Sequence, residues 1–204
     1  MRLKKEIFII RHGQTDYNLK GIVQGRGVDS TLNDTGHLQA QKFHEKYKSL
    51  NFDLVYTSTL QRTHQTVKPF TDKGLKKVVS IHLDEIDWGI YEGMEPTPEM
   101  LKNYTGIIKQ WREGNLDIKI HGGESAQDLF DRQFPFVEEL KSLNASRVLI
   151  CSHGRAIRSL LCCILNVPLK DMDNFEHHNT CLYKLNYDGS DFELEISNDI
   201  SHLS

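Results

Sequence analysis

Cysteine is scarce in this chain, with four in 204 residues, Cys151, Cys162, Cys163 and Cys181. None forms a Cys-x-x-Cys pair, so the spacing fits neither a zinc knuckle nor a disulfide framework, and buried reduced thiols are expected. Long apolar runs are missing too: nothing approaches the ~20 residues that span a bilayer. After the basic residues of the start, Ile7-Phe8-Ile9-Ile10 is the whole apolar run, shorter than a signal-peptide core of about 7–15 residues. A cytoplasmic protein with no membrane partner is expected. Nor is there an excess of positive charge. Lys plus Arg number 25 against 28 Asp plus Glu, a net charge of −3, which argues against a broad polyanion-binding face and a nucleic-acid partner. A small, focused anion site remains compatible with that balance. No segment is of low complexity and no repeat of 20–50 residues is visible.

The remainder is globular in composition, 38% apolar and 26% charged. A chain this long buries roughly 70% of its unfolded surface and needs no staple, so a single domain over residues 1–204 is expected. Apolar runs rich in branched residues alternate with helical patterns, the signature of α/β architecture. Strands are expected at Glu6–Ile10, Leu54–Thr57, Val78–Leu83 and Val148–Cys151. The first and last are almost continuously apolar, as central strands covered on both faces are. Cys181–Leu185 and Phe192–Ile196 flank an Asp188-Gly189 turn, a hairpin that makes the sheet mixed.

Helices fall between these runs. One is capped by Asn33, Asp34 or Thr35 and turns Ala40, Phe43, Tyr47 and Leu50 inward. A second runs from about Thr59 towards Phe70, stopping short or bending at Pro69. Ser125 and Asp128 form a capping box opening a third, with Ala126, Leu129, Phe130, Phe134, Val137 and Leu140 inside and Pro135 as a kink. Gly154–Leu165 is apolar on nearly all sides. Pro96-Thr97-Pro98 leads into a helix near Glu99–Glu113, and residues about 94–120 are a candidate cap over a site.

Two apolar strands end in His-Gly: Ile7–Ile10 runs into Arg11-His12-Gly13, and Val148–Cys151 into Ser152-His153-Gly154. Ligands in open α/β sheets bind at the carboxyl ends of strands, so neighbouring strands would set His12 and His153 across one crevice. The strand Leu54–Thr57 delivers Arg62 on the first turn of the next helix, and Glu85 follows another strand end. Two arginine forks suit phosphoryl oxygens, and their charge keeps a nearby imidazole neutral and nucleophilic. A backbone carbonyl would hold the proton on its other nitrogen. Attack on phosphorus would give a phosphohistidine, with a carboxylic acid such as Glu85 protonating the leaving alcohol. Because positioning and charge neutralisation supply most of such catalysis, no metal or other cofactor is expected. A metal-hydrolase alternative rests on His177-His178 with Asp171, Asp173 and Glu176, but adjacent histidines point different ways, which favours solvation or a supporting hydrogen bond.

Arg11-His12-Gly13-Gln14-Thr15 with Asn18 resembles the signature of the histidine phosphatase superfamily, the phosphoglycerate mutase-like family. The resemblance continues through Gln24-Gly25, Thr57-Ser58 with Arg62 and Thr66, Leu83-Asp84-Glu85, Trp88-Gly89, Gly122-Gly123-Glu124-Ser125, Ser152-His153-Gly154 and Asn198-Asp199 with His202. It implies a three-layer α/β sandwich with a mostly parallel mixed sheet flanked by helices. It also implies a nucleophile at His12, phosphate-binding arginines at Arg11 and Arg62, a phosphoryl-stabilising His153 and a proton donor at Glu85. Asn18 and the amide of Gly154 would add phosphate contacts, with Gln24 at the pocket rim. Gln14, Thr63 and Pro135 depart from the family pattern.

Mutases of this family resemble one another in a longer, more basic middle insertion with adjacent arginines. Here the segment from Glu92 to Gly122 is short, and its basic residues are Lys102, Lys109, Arg112 and Lys119. The expected activity is metal-independent hydrolysis of small phosphorylated metabolites. The alternatives are a cofactor-dependent phosphoglycerate mutase and a non-catalytic module that binds phosphorylated ligands. Oligomeric state is not legible in the chain.

Overall fold

The structure is a computed structural model that describes residues 4–204. Six strands form one sheet: β1 (Lys5–Arg11), β2 (Leu54–Thr57), β3 (Lys77–Val79), β4 (Arg147–Ser152), β5 (Leu182–Tyr187) and β6 (Phe192–Asp199). Their order is β3-β2-β4-β1-β5-β6, parallel from β3 to β1 and antiparallel over the last two pairings. The helices are α1 (Asp16–Lys20), α2 (Asp34–Tyr47), α3 (Gln61–Thr71), α4 (Pro98–Arg112), α5 (Ala126–Ser142) and α6 (Gly154–Leu165).

The period-2 alternation of the strands divides the core. Ile7, Ile9, Val148 and Ile150 pack against Phe136, Val137 and Leu140 of α5 and Ile157, Leu160 and Leu161 of α6. Phe8, Ile10, Val55, Leu149 and Cys151 face the other way, onto Phe43 of α2 and Val67 and Phe70 of α3. The result is the three-layer sandwich with a mixed sheet that the sequence leads one to expect. A separate apolar cluster lies under α4, where Trp88 and Trp111 stack 5.8 Å apart beside Ile108, Ala126 and Leu129.

Local signals explain most boundaries. Asn33 caps α2 by accepting from the amide of Gly36, and Ser125 with Asp128 forms the capping box of α5. Four details differ from the sequence reading. The expected strand Val78–Leu83 is paired only over Lys77–Val79, after which Ile81–Leu83 forms a single 3-10 turn. Pro69 lies in the last turn of α3, which continues to Thr71, because a proline there removes only one late hydrogen bond. Leu50 lies beyond the end of α2 yet still packs on the core. Phe134 is half exposed, since Pro135 belongs to a helix whose buried stripe runs through Gln133, Phe136 and Val137. No helix among the described residues is long and apolar enough to cross a membrane.

Candidate active site

The parallel register of β1 and β4 pairs Arg11 with Ser152, so the next residue on each strand emerges at the same edge. Those residues are His12 and His153, whose rings lie 5.1 Å apart between centroids. The amide of His12 donates to the Ser152 carbonyl at 3.0 Å, tying the two strand ends together. Gly13 then passes so close to α2 that a Cβ there would meet the Gly36 carbonyl at 2.6 Å.

The His12 Nδ1 lies 2.7 Å from the Gly13 carbonyl oxygen and donates to it. This fixes the proton on Nδ1 and leaves the lone pair of Nε2 available. Burial holds the His12 imidazole well below its usual pKa, and the charges of Arg62 and Arg11 push it further in the same direction. The ring is therefore neutral at pH 7. Burial is the larger cause here; the sequence reading named only the arginines.

Arg62 is completely buried on the first turn of α3. It donates from Nε to His153 Nδ1 at 3.1 Å, and from its terminal nitrogens to the carbonyls of Val28 (2.6 Å) and Gly25 (3.2 Å). Each terminal nitrogen carries a second N–H beyond those two bonds. His153 is also fully buried, and burial followed by the Arg62 charge lowers its pKa well below the ordinary value. Neither residue lines the open cleft; both stand directly behind His12.

Arg11, His12, Asn18, Gln24 and Glu85 line a cleft of about 310 Å³. Arg11 Nε is sealed from solvent without a partner, an orphaned cationic donor of the kind an anion satisfies. Its terminal nitrogen approaches His177 Nδ1 at 3.4 Å, so His177 is a supporting group, held neutral with a pKa of about 3 by burial and by Arg11. Asn18 sits on α1, a five-residue helix that the sequence reading missed, and its Oδ1 completes a capping box with Thr15. Gln24 Nε2 donates to Thr15 Oγ1 at 2.8 Å and its Oε1 takes a short hydrogen bond from Ser30.

Glu85 faces the N-terminus of α6. Its Oε1 accepts from the amides of Ala156 (2.9 Å) and Ile86 (2.9 Å), and its Oε2 from the amide of Arg155 (3.1 Å). The positive end of a helix is a natural place for a carboxylate. A Cβ on Gly154, the first residue of α6, would press on the His177 ring at 3.1 Å. Arg132 binds both oxygens of Glu124 and the carbonyls of Asp84 and Glu85, fixing the acidic segment from below. Glu124 precedes the N-cap of α5, so no helical period joins it to Arg132 in the sequence. Asn179 was missed as well. It donates to the His12 carbonyl (3.1 Å) and to Asn18 Oδ1 (3.2 Å) from a loop far away in sequence.

His177, His178, Asp171, Asp173 and Glu176 do not gather. Asp173 is held by Arg112, Arg155 and Arg158, and no group of three His, Cys, Asp or Glu among the described residues is placed to hold a metal ion.

A three-layer α/β protein with an anion-receptive cleft at the carboxyl ends of its central strands is the class that fold and site define. The chain belongs to the histidine phosphatase superfamily (branch 1), whose model matches residues 7–200. It is 28% identical over 199 residues to "Putative phosphoserine phosphatase 2" of Hydrogenobacter thermophilus, covering 97% of both chains. It is 30% identical over 209 residues to a "Probable phosphoglycerate mutase" of an Enterobacter species, covering 97% of this chain and 94% of that protein. Among solved structures, mycobacterial glucosyl-3-phosphoglycerate phosphatase in complex with VO3 superposes with a TM-score of 0.83 at 27% identity, over 95% of this chain and 98% of that one.

Proposed function

We propose that this phosphatase hydrolyses small phosphomonoesters through a phosphohistidine formed on Nε2 of His12. The reading is carried by one observation: a buried, neutral His12 whose Nδ1–H is held by the Gly13 carbonyl while the ring lines a cleft shared with Arg11 and Glu85. In the first step the Nε2 lone pair bonds to phosphorus and the P–O bond to the alcohol breaks. Glu85, in its acid form, gives its proton to the departing oxygen. In the second step water attacks phosphorus, Glu85 takes the water proton, and the P–N bond breaks to return neutral His12 and inorganic phosphate.

Arg11 holds the phosphoryl oxygens from the cleft wall while Arg62 adds its charge from behind His12, and the two charges take the place of a metal ion. His153, its ring nitrogens engaged by Arg62 and Ser58, keeps Arg62 in place behind the nucleophile, while Asn18 and the amide of Gly154 complete the phosphate contacts and Gln24 shapes the rim. The whole chain acts as one domain, with residues about 94–120 as a cap: α4 contributes Met100, Leu101 and Tyr104 to the cleft wall. A cytoplasmic location fits the four free thiols.

Hydrolysis is favoured over phosphoryl retention by the place of the basic residues in that cap. Lys102, Lys109, Arg112 and Lys119 are all exposed, and none lines the cleft, so no cationic subsite for a doubly anionic mutase substrate is present there. Phosphate release from p-nitrophenyl phosphate with chelator present, together with rapid-quench capture of acid-labile phosphate on the protein, tests the reading. Both signals are expected in the native chain and neither in His12→Ala. Turnover that survives His12→Ala overturns it.

A further inference from the structure

The cleft is polar at one end only. Beyond the groups around His12, its wall is built from Ile22, Val23, Trp88, Pro96, Met100 and Leu101, with the rings of Tyr91 and Tyr104. Arg11 is the one cationic side chain of that lining. Arg155 and Arg26 lie outside that lining and are engaged elsewhere. Arg155 donates to Asp173 at 2.5 Å and to the Tyr104 hydroxyl at 3.3 Å, and Arg26 lies 3.6 Å from both Asp84 and Glu124. Tyr91 accepts from Asn103 at 2.9 Å, so beside carbon the wall offers a ligand two tyrosine hydroxyls and the indole of Trp88.

Leu101 is 54% exposed on the cleft wall. Large apolar side chains facing solvent around a concave site mark where an apolar ligand sits. A carboxylate placed against this wall would lose its hydration without gaining a counter-ion, which is costly.

We propose that the alcohol part of the substrate is small, uncharged and apolar, a short alkyl or aryl group, rather than one bearing a carboxylate. This rests on the phosphatase reading above for its phosphoryl end, and it specifies the leaving-group end. The volume of about 310 Å³ lies at the lower limit of small-molecule sites, which sets the size.

The test compares kcat/KM for ethyl, butyl and hexyl phosphate with O-phosphoserine and 3-phosphoglycerate, all esters of primary alcohols. Selectivity for the alkyl esters should rise by up to about fourfold per added methylene, mainly through KM, and hexyl phosphate should exceed both carboxylate substrates at least tenfold. Leu101→Lys, at an exposed position, should shift the phosphoserine-to-hexyl phosphate ratio at least tenfold towards phosphoserine. A flat alkyl series, or a carboxylate substrate preferred by the native chain, overturns the proposal. Calorimetric binding of hexylphosphonate against methylphosphonate separates the two ends. Preference for hexylphosphonate without any turnover leaves the pocket assignment standing and removes the catalytic one. Turnover with equal phosphonate affinities does the reverse.

Discussion

Arg62 donates its Nε–H to Nδ1 of His153 at 3.1 Å, and this bond decides the tautomer of the second histidine. With Nδ1 accepting, the neutral ring must carry its proton on Nε2, which lies 2.8 Å from Ser58 Oγ. Ser58 already accepts from the Leu60 amide at 3.1 Å, so its own proton goes to Thr63 Oγ1 at 3.0 Å, and Thr63 donates to the Leu60 carbonyl at 2.9 Å. Every proton of the buried relay has one place to go. Thr63 ends it.

Thr63→Val keeps the shape and removes the acceptor, stranding the Ser58 hydroxyl proton. A loss of about 1–2 kcal/mol of stability is expected, read as a lower urea midpoint at unchanged m-value. An unchanged midpoint means the relay contributes nothing to the fold.

Glu85→Gln keeps an acceptor for one of the two α6 amides but cannot give up or take the proton. A fall in kcat of about 10²–10⁴ is expected for an alkyl phosphate, and a much smaller fall in the first step for p-nitrophenyl phosphate, whose leaving group needs no proton. Burst kinetics on both esters measure the contrast. Equal losses on both would assign Glu85 to holding α6 rather than to proton transfer.

His12, His153, His177 and His202 all have native pKa values below the ordinary one, burial being the first cause in each; His177 stands at about 3 and His202 at about 4. The unfolded chain therefore binds protons near pH 6.5 that the native chain refuses. Stability is fully present above that pH and is lost as pH falls below it. Each of the two deepest, His12 and His153, can contribute a slope of up to about 1.4 kcal/mol per pH unit. Thermal melts from pH 7 to pH 5 should show this decline, and a shallower one in His153→Asn. Identical slopes in the two chains would exclude His153 as a source.

Gly36 lies in the first turn of α2, where alanine is ordinarily better by about 1 kcal/mol. Here a Cβ would stand 2.1 Å from the Gln14 carbonyl oxygen and 2.8 Å from its nitrogen. Gly36→Ala is expected to destabilise by about 1–3 kcal/mol and to reduce activity, because the segment it displaces follows directly on His12. Denaturant melts alongside phosphate release check both parts.

Much of this was legible in the chain. Continuous apolar runs ending in His-Gly placed His12 and His153 at strand ends, since two-sided burial and the carboxyl-edge rule are local consequences of sequence. The capping box at Ser125 and Asp128 was equally local. The end of β3 was not. Val78–Leu83 has strand composition throughout, but Ser80 bonds back to the Thr57 carbonyl and the chain turns there, a choice made by the neighbouring strand. Asn179 and the three arginines on Asp173 were likewise invisible, because their partners lie 15 or more residues away on other elements and no periodicity joins them.

Sequence alone settled which residue types arrive at the sheet edge, because a strand's side-chain period and the glycine that ends it depend only on neighbours in the chain. Tertiary structure decided what those residues are chemically. The tautomers of His12 and His153, the loss of their proton affinity to burial, and an apolar wall opposite a single open arginine all come from groups brought together across the fold, where distance and desolvation rather than order in the chain set the energy.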